Sequence, residues 1–345
     1  MKKKIIVTGG AGYIGSHTCV ELIASNYEPI IIDNFYNSKH FIIDRIEEIT
    51  GFRPDILDTN CLNYEQLRLK ISSYNNINGI IHFAAYKAVG ESTQKPLKYY
   101  QNNIGSTINM LKILEDFKFS SFIFSSSCTV YGQPKQLPVT EESPILLAES
   151  PYGRTKQICE DVISDYSKAN STLKAVSLRY FNPIGAHPSS LIGELPLGAP
   201  NNLVPFITQT AAGIRKELSI FGHDYSTSDG TCIRDYIHVV DLARAHVAAL
   251  KFSEAKKNGL FEIFNLGSGQ GNSVLEVVQA FEEICEEKLN YKFSPRRPGD
   301  VVEVYANVEK AKNEMGWETK LSLKDALKDA WNWELALRKN LITNE

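Results

Sequence analysis

Long apolar runs are missing from this 345-residue sequence. No span approaches the ~18 apolar residues that a membrane helix needs, so no membrane partner is expected. Met1-Lys2-Lys3-Lys4 resembles the charged head of a signal peptide, but the run Ile5-Ile6-Val7 stops at Thr8-Gly9, short of the roughly 7–15 apolar residues an export signal requires. Basic excess is missing too. A formal net charge of -3 and a pI near 6.2 supply no surface for phosphate backbones and point away from nucleic acid, towards a small ligand. The six cysteines, Cys19, Cys61, Cys128, Cys159, Cys232 and Cys285, lack C-x-x-C spacing and fit reduced thiols in a cytoplasm. The seven histidines form neither H-E-x-x-H nor any close ligand spacing, so no metal is expected and hydrogen-bonded structural roles are the default. The lack of a G-x-S-x-G elbow argues against acyl transfer as well.

What is present is an ordinary globular composition, 43% hydrophobic and 22% charged, in a chain long enough for one large domain or two fused ones. The first half alternates β-branched runs with longer amphipathic segments, a pattern that forces parallel strands joined by crossover helices. Strands are predicted over 4–8, 29–33, 79–83, 121–125 and 174–178, with helices over 12–25, 64–74, 105–117 and 151–169, the last with Pro at its first turn. That is a doubly wound α/β sheet of Rossmann type. From Pro183 to Asn202 the chain is dense in Gly, Pro, Ser and Asn and reads as a long functional loop. Helices resume over 203–214, 240–252, 273–286 and 323–337, with a strand over 261–266. Residues 1–180 are therefore expected to form a dinucleotide-binding domain, with about 235–270 contributing to it. Residues 181–345 are expected to form mainly a smaller substrate-binding lobe.

Directly after the first strand, Gly9-Gly10-Ala11-Gly12-Tyr13-Ile14-Gly15 contains both G-x-G-x-x-G and G-x-x-G-x-x-G. Glycines there allow a tight strand-to-helix turn and close backbone approach to a pyrophosphate, while the helix start aims unpaired N–H groups at the anion. Asp33 closes the second strand, 18 positions beyond Gly15, where a carboxylate can accept bonds from an adenosine ribose and would repel a 2′-phosphate. No Arg stands in Asp33-Asn34-Phe35, which favours NAD over NADP. Asp55-Ile56, read as following the third strand, either bracket the adenine or are ordinary loop residues.

Tyr152 and Lys156 are four apart on a helix and so share a face. A free tyrosine has a pKa of about 10, but an adjacent ammonium and a cationic nicotinamide ring favour the phenolate. The pair can therefore move protons. The strand Phe122-Ile123-Phe124 runs into Ser125-Ser126-Ser127 at the carboxyl rim of the sheet, where one of the hydroxyls can bond a substrate alcohol. Cys128 is either a reactive thiol or a small buried residue.

Seven segments carry a resemblance through nearly the whole chain: Thr8 to His17, Asp33-Asn34, His82 to Ser92, Ser125 to Gly132, Ser150 to Lys156, Arg179 to Pro183, and Arg234 to His238. On these the sequence resembles the extended short-chain dehydrogenase/reductases, and more narrowly the UDP-glucose 4-epimerases. The resemblance implies that Tyr152 is the base, that Lys156 holds the nicotinamide ribose and lowers the Tyr152 pKa, and that Ser127 binds the sugar hydroxyl. It implies cofactor contacts at Tyr13, Ile14, Asn34, Phe83, Ala84, Ala85, Lys87, Asn102 and Tyr180, with Lys87 also near substrate. Asn182, Asn202, Leu203, Arg234, Arg297 and Asp300 match positions that grip UDP, the two arginines at the pyrophosphate. A homodimer is implied, for which the helices over 105–117 and 151–169 are the candidate interface.

Related 4,6-dehydratases and decarboxylases resemble one another in having acidic residues just before Val-Tyr-Gly, where this chain has Cys128-Thr129. Dehydration across C5 and C6 requires an acid and a base there, so the sequence favours epimerisation through a transient 4-keto sugar with retained NAD. The competing readings are an NAD-dependent dehydrogenase or reductase of another nucleotide sugar or a small alcohol, and an NAD-sensing regulatory protein. In similar epimerases the fourth residue after the Arg-x-Gly-Asp aspartate lines the sugar pocket. Here it is Val304, which leaves room for N-acetylated sugars unless Tyr305 takes its place.

Overall fold

The computed structural model describes residues 2–297 and 300–339. Its first half runs β1 (Lys3–Thr8), α1 (Tyr13–Ala24), β2 (Tyr27–Asp33), α2 (Phe41–Thr50), β3 (Asp55–Asp58), α3 (Tyr64–Ile71), β4 (Ile77–His82), α4 (Val89–Gln94), α5 (Pro96–Tyr99), α6 (Gly105–Asp116), β5 (Ser121–Ser127), α7 (Pro151–Ala169) and β6 (Lys174–Tyr180). The second half runs β7 (Asn182–Ile184), α8 (Leu203–Ala211), β8 (Leu218–Phe221), β9 (Ile233–His238), α9 (Val239–Ala255), β10 (Leu260–Leu266), β11 (Gly271–Ser273), α10 (Val274–Cys285), β12 (Tyr291–Ser294), β13 (Glu303–Val304) and α11 (Leu323–Arg338).

Seven strands form one sheet in the order β10-β6-β5-β4-β1-β2-β3, and every pairing in it is parallel. Helices cover both faces, so strand residues are buried whichever way they point. Ile5, Val7 and Ile31 join a core with Val20, Leu22, Leu242 and Leu250. Their neighbours Ile6, Ile30 and Ile32 turn to the opposite face and pack with Leu67, Met110, Leu111 and Ile163. The chain winds from β1 to β3 in one direction and from β4 to β6 in the other. The crevice beyond the carboxyl ends of β1 and β4 is thus the topological switch point where such sheets take ligands.

The strand β10, from late in the sequence, completes this sheet at the edge beside β6. β8 and β12 pair in a sheet of their own, while chain from both sides of β10 forms a small sheet of β11, β9 and β13, with β7 also paired to β9. A third core, with Val277, Phe281, Leu327 and Tyr236, lies beneath it. Ser150 accepts from the Gly153 N–H with Pro151 at the first helical position, which starts α7. Reciprocal capping by Ser273 with Glu276 and by Ser322 with Asp325 starts α10 and α11.

Two sequence expectations change. The segment 183–202 is not all loop, because β7 opens it by pairing with β9. The strand ending in the serines continues to Ser127, since Ser126 and Ser127 still pair with Arg179 and Tyr180 of β6.

Candidate active site

The turn between β1 and α1 is closed by contact. A Cβ at Gly15 would lie 2.2 Å from the Gly9 carbonyl oxygen, and Gly9 has φ +69° with the Ala84 nitrogen against it. No side chain caps the start of α1, leaving Tyr13 and Ile14 in a first turn whose N–H groups suit an anion. At the end of β2 the Asp33 carboxylate accepts from Ala11 N at 3.0 Å, Phe35 N at 2.9 Å and Ser38 Oγ at 3.0 Å. Burial pushes its pKa up and these bonds pull it back. Asn34 accepts from the Tyr36 N–H. This cradle, with a carboxylate at the second strand end, fits an NAD-type dinucleotide.

Asp55 requires a correction. It opens β3 opposite Ile30, at the amino end of the strand and away from the crevice, as does Ile56 beside it. Asp58 stands level with Asp33 at the carboxyl rim. The run Asp55-Ile56-Leu57-Asp58 carries an aspartate at both ends, and only the register separates them.

On the other flank of β1, Phe83 N donates to the Thr8 carbonyl and Ala84 N to Thr8 Oγ1, so Phe83, Ala84 and Ala85 leave β4 along the same rim. Lys87 follows, with Nζ 3.2 Å from Glu194 Oε1. Asn202, at the start of α8, donates to the same oxygen at 2.6 Å. Glu194, whose carbonyl is held by Trp333 Nε1, therefore links two site candidates across the chain. No local pattern in its Gly- and Pro-rich segment marked it. Asn102 lies in a wide helical turn over Tyr100–Ile104 and donates to Asn103 Oδ1. The buried Asn103 itself bonds both backbone groups of Tyr86 and the Thr155 hydroxyl.

At the chemical end, Ser127 closes β5 and its hydroxyl accepts from Thr129 N and Oγ1 at 3.2 and 3.0 Å. Tyr152 stands in the first turn of α7, and the Lys156 ammonium lies 6.0 Å from its ring centroid. Lys156 is buried and donates to the Ser125 carbonyl at 2.5 Å. Burial lowers its pKa to about 8, against the raising influence of Cys159 and Glu160. Tyr152 behaves differently from the sequence expectation. Burial of its hydroxyl, and then Tyr180, hold the phenol well above its ordinary pKa, and the Ser127 hydroxyl bond only partly offsets them. Positive charge placed against the hydroxyl would act against this shift. Tyr180, buried beside it, bonds Ser125. Burial also pushes the Cys128 thiol up to about 12, which removes it as a ready nucleophile.

The second lobe gathers cations. Arg297 donates from Nε and Nη2 to both oxygens of Asp300, at 3.2 and 3.0 Å. Arg234 Nη2 approaches the same carboxylate at 3.7 Å. Phe221 lies beneath Arg297, 5.6 Å from centroid to guanidinium, and is 41% exposed, a flat free face that periodicity did not reveal. Asn182 pairs with Tyr236 between β7 and β9, and Leu203 begins α8. Pro298 and Gly299 of the Arg-x-Gly-Asp motif lie outside the described residues. Val304 pairs with Arg234 and packs with Val130, Tyr131, Phe181 and Cys128. Tyr305 turns to the other face, against Gly271. Among the described residues no three His, Cys, Asp or Glu side chains are grouped to hold a metal, and no helix is long and apolar enough to cross a membrane.

A dinucleotide cradle, a Tyr-x-x-x-Lys pair behind a serine-ended strand, and a second lobe rich in arginine define an extended short-chain dehydrogenase/reductase. A family model described as GDP-mannose 4,6 dehydratase matches residues 6–330. The chain is 47% identical over 340 residues to UDP-glucose 4-epimerase 2 of Arabidopsis thaliana, covering 96% of this chain and 95% of the relative. A UDP-glucose 4-epimerase structure from Stenotrophomonas maltophila, with bound NAD and formylated UDP-arabinopyranose, superposes with a TM-score of 0.95 at 42% identity, covering 99% of this chain and 100% of that one. A second, from Bifidobacterium longum with NAD+ and UDP, gives 0.93 at 44% identity and covers 96% and 98%. The chain belongs to the UDP-glucose 4-epimerase family.

Proposed function

We propose that this protein interconverts UDP-glucose and UDP-galactose, with NAD as a retained cofactor. The observation that carries the reading is the meeting of Ser127, Tyr152 and Lys156 at the carboxyl rim beside the glycine cradle, with Cys128 and Thr129 filling the place where dehydration would need an acid and a base. Residues 1–180 together with β10 supply the cofactor half, and the remainder of 181–345 supplies most of the nucleotide-sugar half. Gly9, Gly12, Tyr13, Ile14 and Gly15 face the pyrophosphate of NAD, Asp33 and Asn34 the adenosine ribose, and Asp58, rather than Asp55, the adenine edge. Phe83, Ala84, Ala85, Lys87, Asn102 and Tyr180 line the remaining cofactor wall. Bound NAD supplies the hydride acceptor and donor for C4.

Tyr152 takes the proton of the 4-hydroxyl and returns it, Ser127 holds that oxygen, and Lys156 orients the ribose. The start of α7 adds positive potential at Tyr152. Arg234 and Arg297 grip the diphosphate, Phe221 offers its face to the base, and Asn182, Asn202, Leu203 and Asp300 complete the grip. Holding UDP while leaving the hexose free lets the 4-keto sugar turn and accept hydride on its other face.

Proton NMR of UDP-galactose incubated with the purified protein and no added cofactor is expected to show UDP-glucose growing in, with no net change in absorbance at 340 nm. Steady NADH accumulation would establish the dehydrogenase reading instead.

An aromatic ring in place of Val304 would crowd a sugar carrying an acetamido group, overpacking costing roughly 1–3 kcal/mol, whereas the smaller valine would not. UDP-N-acetylglucosamine and UDP-N-acetylgalactosamine are therefore expected to interconvert too. Val304→Tyr is expected to abolish that turnover while sparing the glucose pair; unchanged turnover of acetylated sugars would remove Val304 from the pocket wall.

The protein acts as a homodimer in the cytoplasm, through α6 and α7, whose adjoining surface includes Ile108, 37% exposed. Sedimentation at twice the 38.6 kDa chain mass is expected, and Ile108→Glu is expected to shift it to the monomer.

A further inference from the structure

Beside the cofactor crevice, one lysine lies over two aromatic rings that arrive from opposite sides of β1. Tyr36 follows β2 and Tyr86 follows β4, and these strands are the two neighbours of β1 in the sheet. The Lys98 ammonium, on α5, is 5.1 Å from the Tyr36 centroid and 4.3 Å from the Tyr86 centroid. It also donates to the Tyr36 hydroxyl at 3.1 Å. The two rings meet edge to face at 5.3 Å. Glu91 fixes the lysine, accepting from Nζ at 2.9 Å with one oxygen and from the buried Tyr99 hydroxyl at 2.9 Å with the other.

Both ends of this contact are tied to the site. Asn103 binds the Tyr86 backbone and reaches Thr155 on α7, between Tyr152 and Lys156. Tyr36 belongs to the turn whose backbone the Asp33 carboxylate holds. Yet Tyr36 is 59% exposed, so core packing does not account for its place.

We propose that Tyr36, Lys98 and Tyr86 form a clasp across the cofactor crevice that slows the release of NAD. The inference rests on the NAD-retaining reading above and adds the residues that make the retention long. The turn after β2 and the segment after β4 flank the glycine cradle, and a dinucleotide leaving it requires them to part. Parting them separates the Tyr36 ring at once from the Lys98 cation and from the edge contact with Tyr86, while Lys98 and Tyr86 stay together on the β4 side.

The test is the rate at which radiolabelled NAD, loaded on the holoenzyme, is lost to an excess of unlabelled NAD. Lys98→Met and Tyr36→Ala are each expected to speed release by about tenfold. Because they break one shared contact, the double variant is expected to release no faster than the faster single one. Lys95→Met is the control, since Lys95 touches Glu91 only at 3.6 Å and neither ring; wild-type release is expected there. Release within twofold of wild type in both single variants, a double variant whose effect is the product of the singles, or equal acceleration by Lys95→Met would each overturn the clasp. Wild-type protein that binds no NAD at all would instead overturn the parent reading, and the clasp with it.

Discussion

Tyr152→Phe is expected to fold, keep its NAD and lose turnover by about 10²–10⁴-fold, the contribution typical of one positioned acid–base group. The substitution removes a single oxygen from a ring whose backbone is fixed by the Ser150 cap and Pro151 at the start of α7. Burial holds this phenol above its ordinary pKa, and positive charge brought against it would favour its ionisation. Ser127→Ala is expected to lose less, because Tyr152 remains to reach the sugar oxygen. Initial rates on UDP-galactose, with bound NAD assayed after acid precipitation, check both; near-normal turnover of Tyr152→Phe would remove Tyr152 from the chemistry.

Glu160→Ala is expected to cost about 3–5 kcal/mol of folding stability, the penalty for stranding one member of a buried ion pair. The side chains of Glu160 and Arg179 are 8% and 4% exposed. The guanidinium donates to both carboxylate oxygens, while Ser126 and Ser177 donate to one of them at 2.5 and 2.7 Å. Arg179 continues through the Tyr131 hydroxyl to Asn265 on β10. Glu160 lies one turn beyond Lys156, so this network fixes the height of α7 over β5 and β6. Urea midpoints and slopes measure the loss, and a change below about 1 kcal/mol would show that the pair is not holding the helix. Glu160→Gln, which keeps an acceptor for the two serines, is expected to fall between the extremes.

The large sheet was legible because its punctuation is local. Pro151 starts a helix, Gly9 to Gly15 mark a strand-to-helix turn, and continuous apolar runs such as Ile5-Ile6-Val7 need both faces covered. The small sheet was not, because β7, β11 and β13 are two or three residues long, too short for any periodicity, and owe their existence to β9. Register was not legible at Asp55, since a strand with aspartate at both ends does not say which of them stands level with Asp33 at the carboxyl rim. Glu194 escaped for a related reason: its importance comes from Lys87 and Asn202, which fold to it from distant segments. The sharing of one helix face by Tyr152 and Lys156 was legible from their spacing, whereas the burial that acts on the phenol was not.

The chain passes between the seven-stranded and the four-stranded sheet three times, after β6, between β9 and β10, and again before β11. A polypeptide that crosses a boundary once can swing there; one that crosses it three times is stitched. The substrate must pivot between two hydride transfers on opposite faces of one carbon. In a stitched frame the pivot falls to the ligand's own single bonds, while the two halves that grip it stay in step.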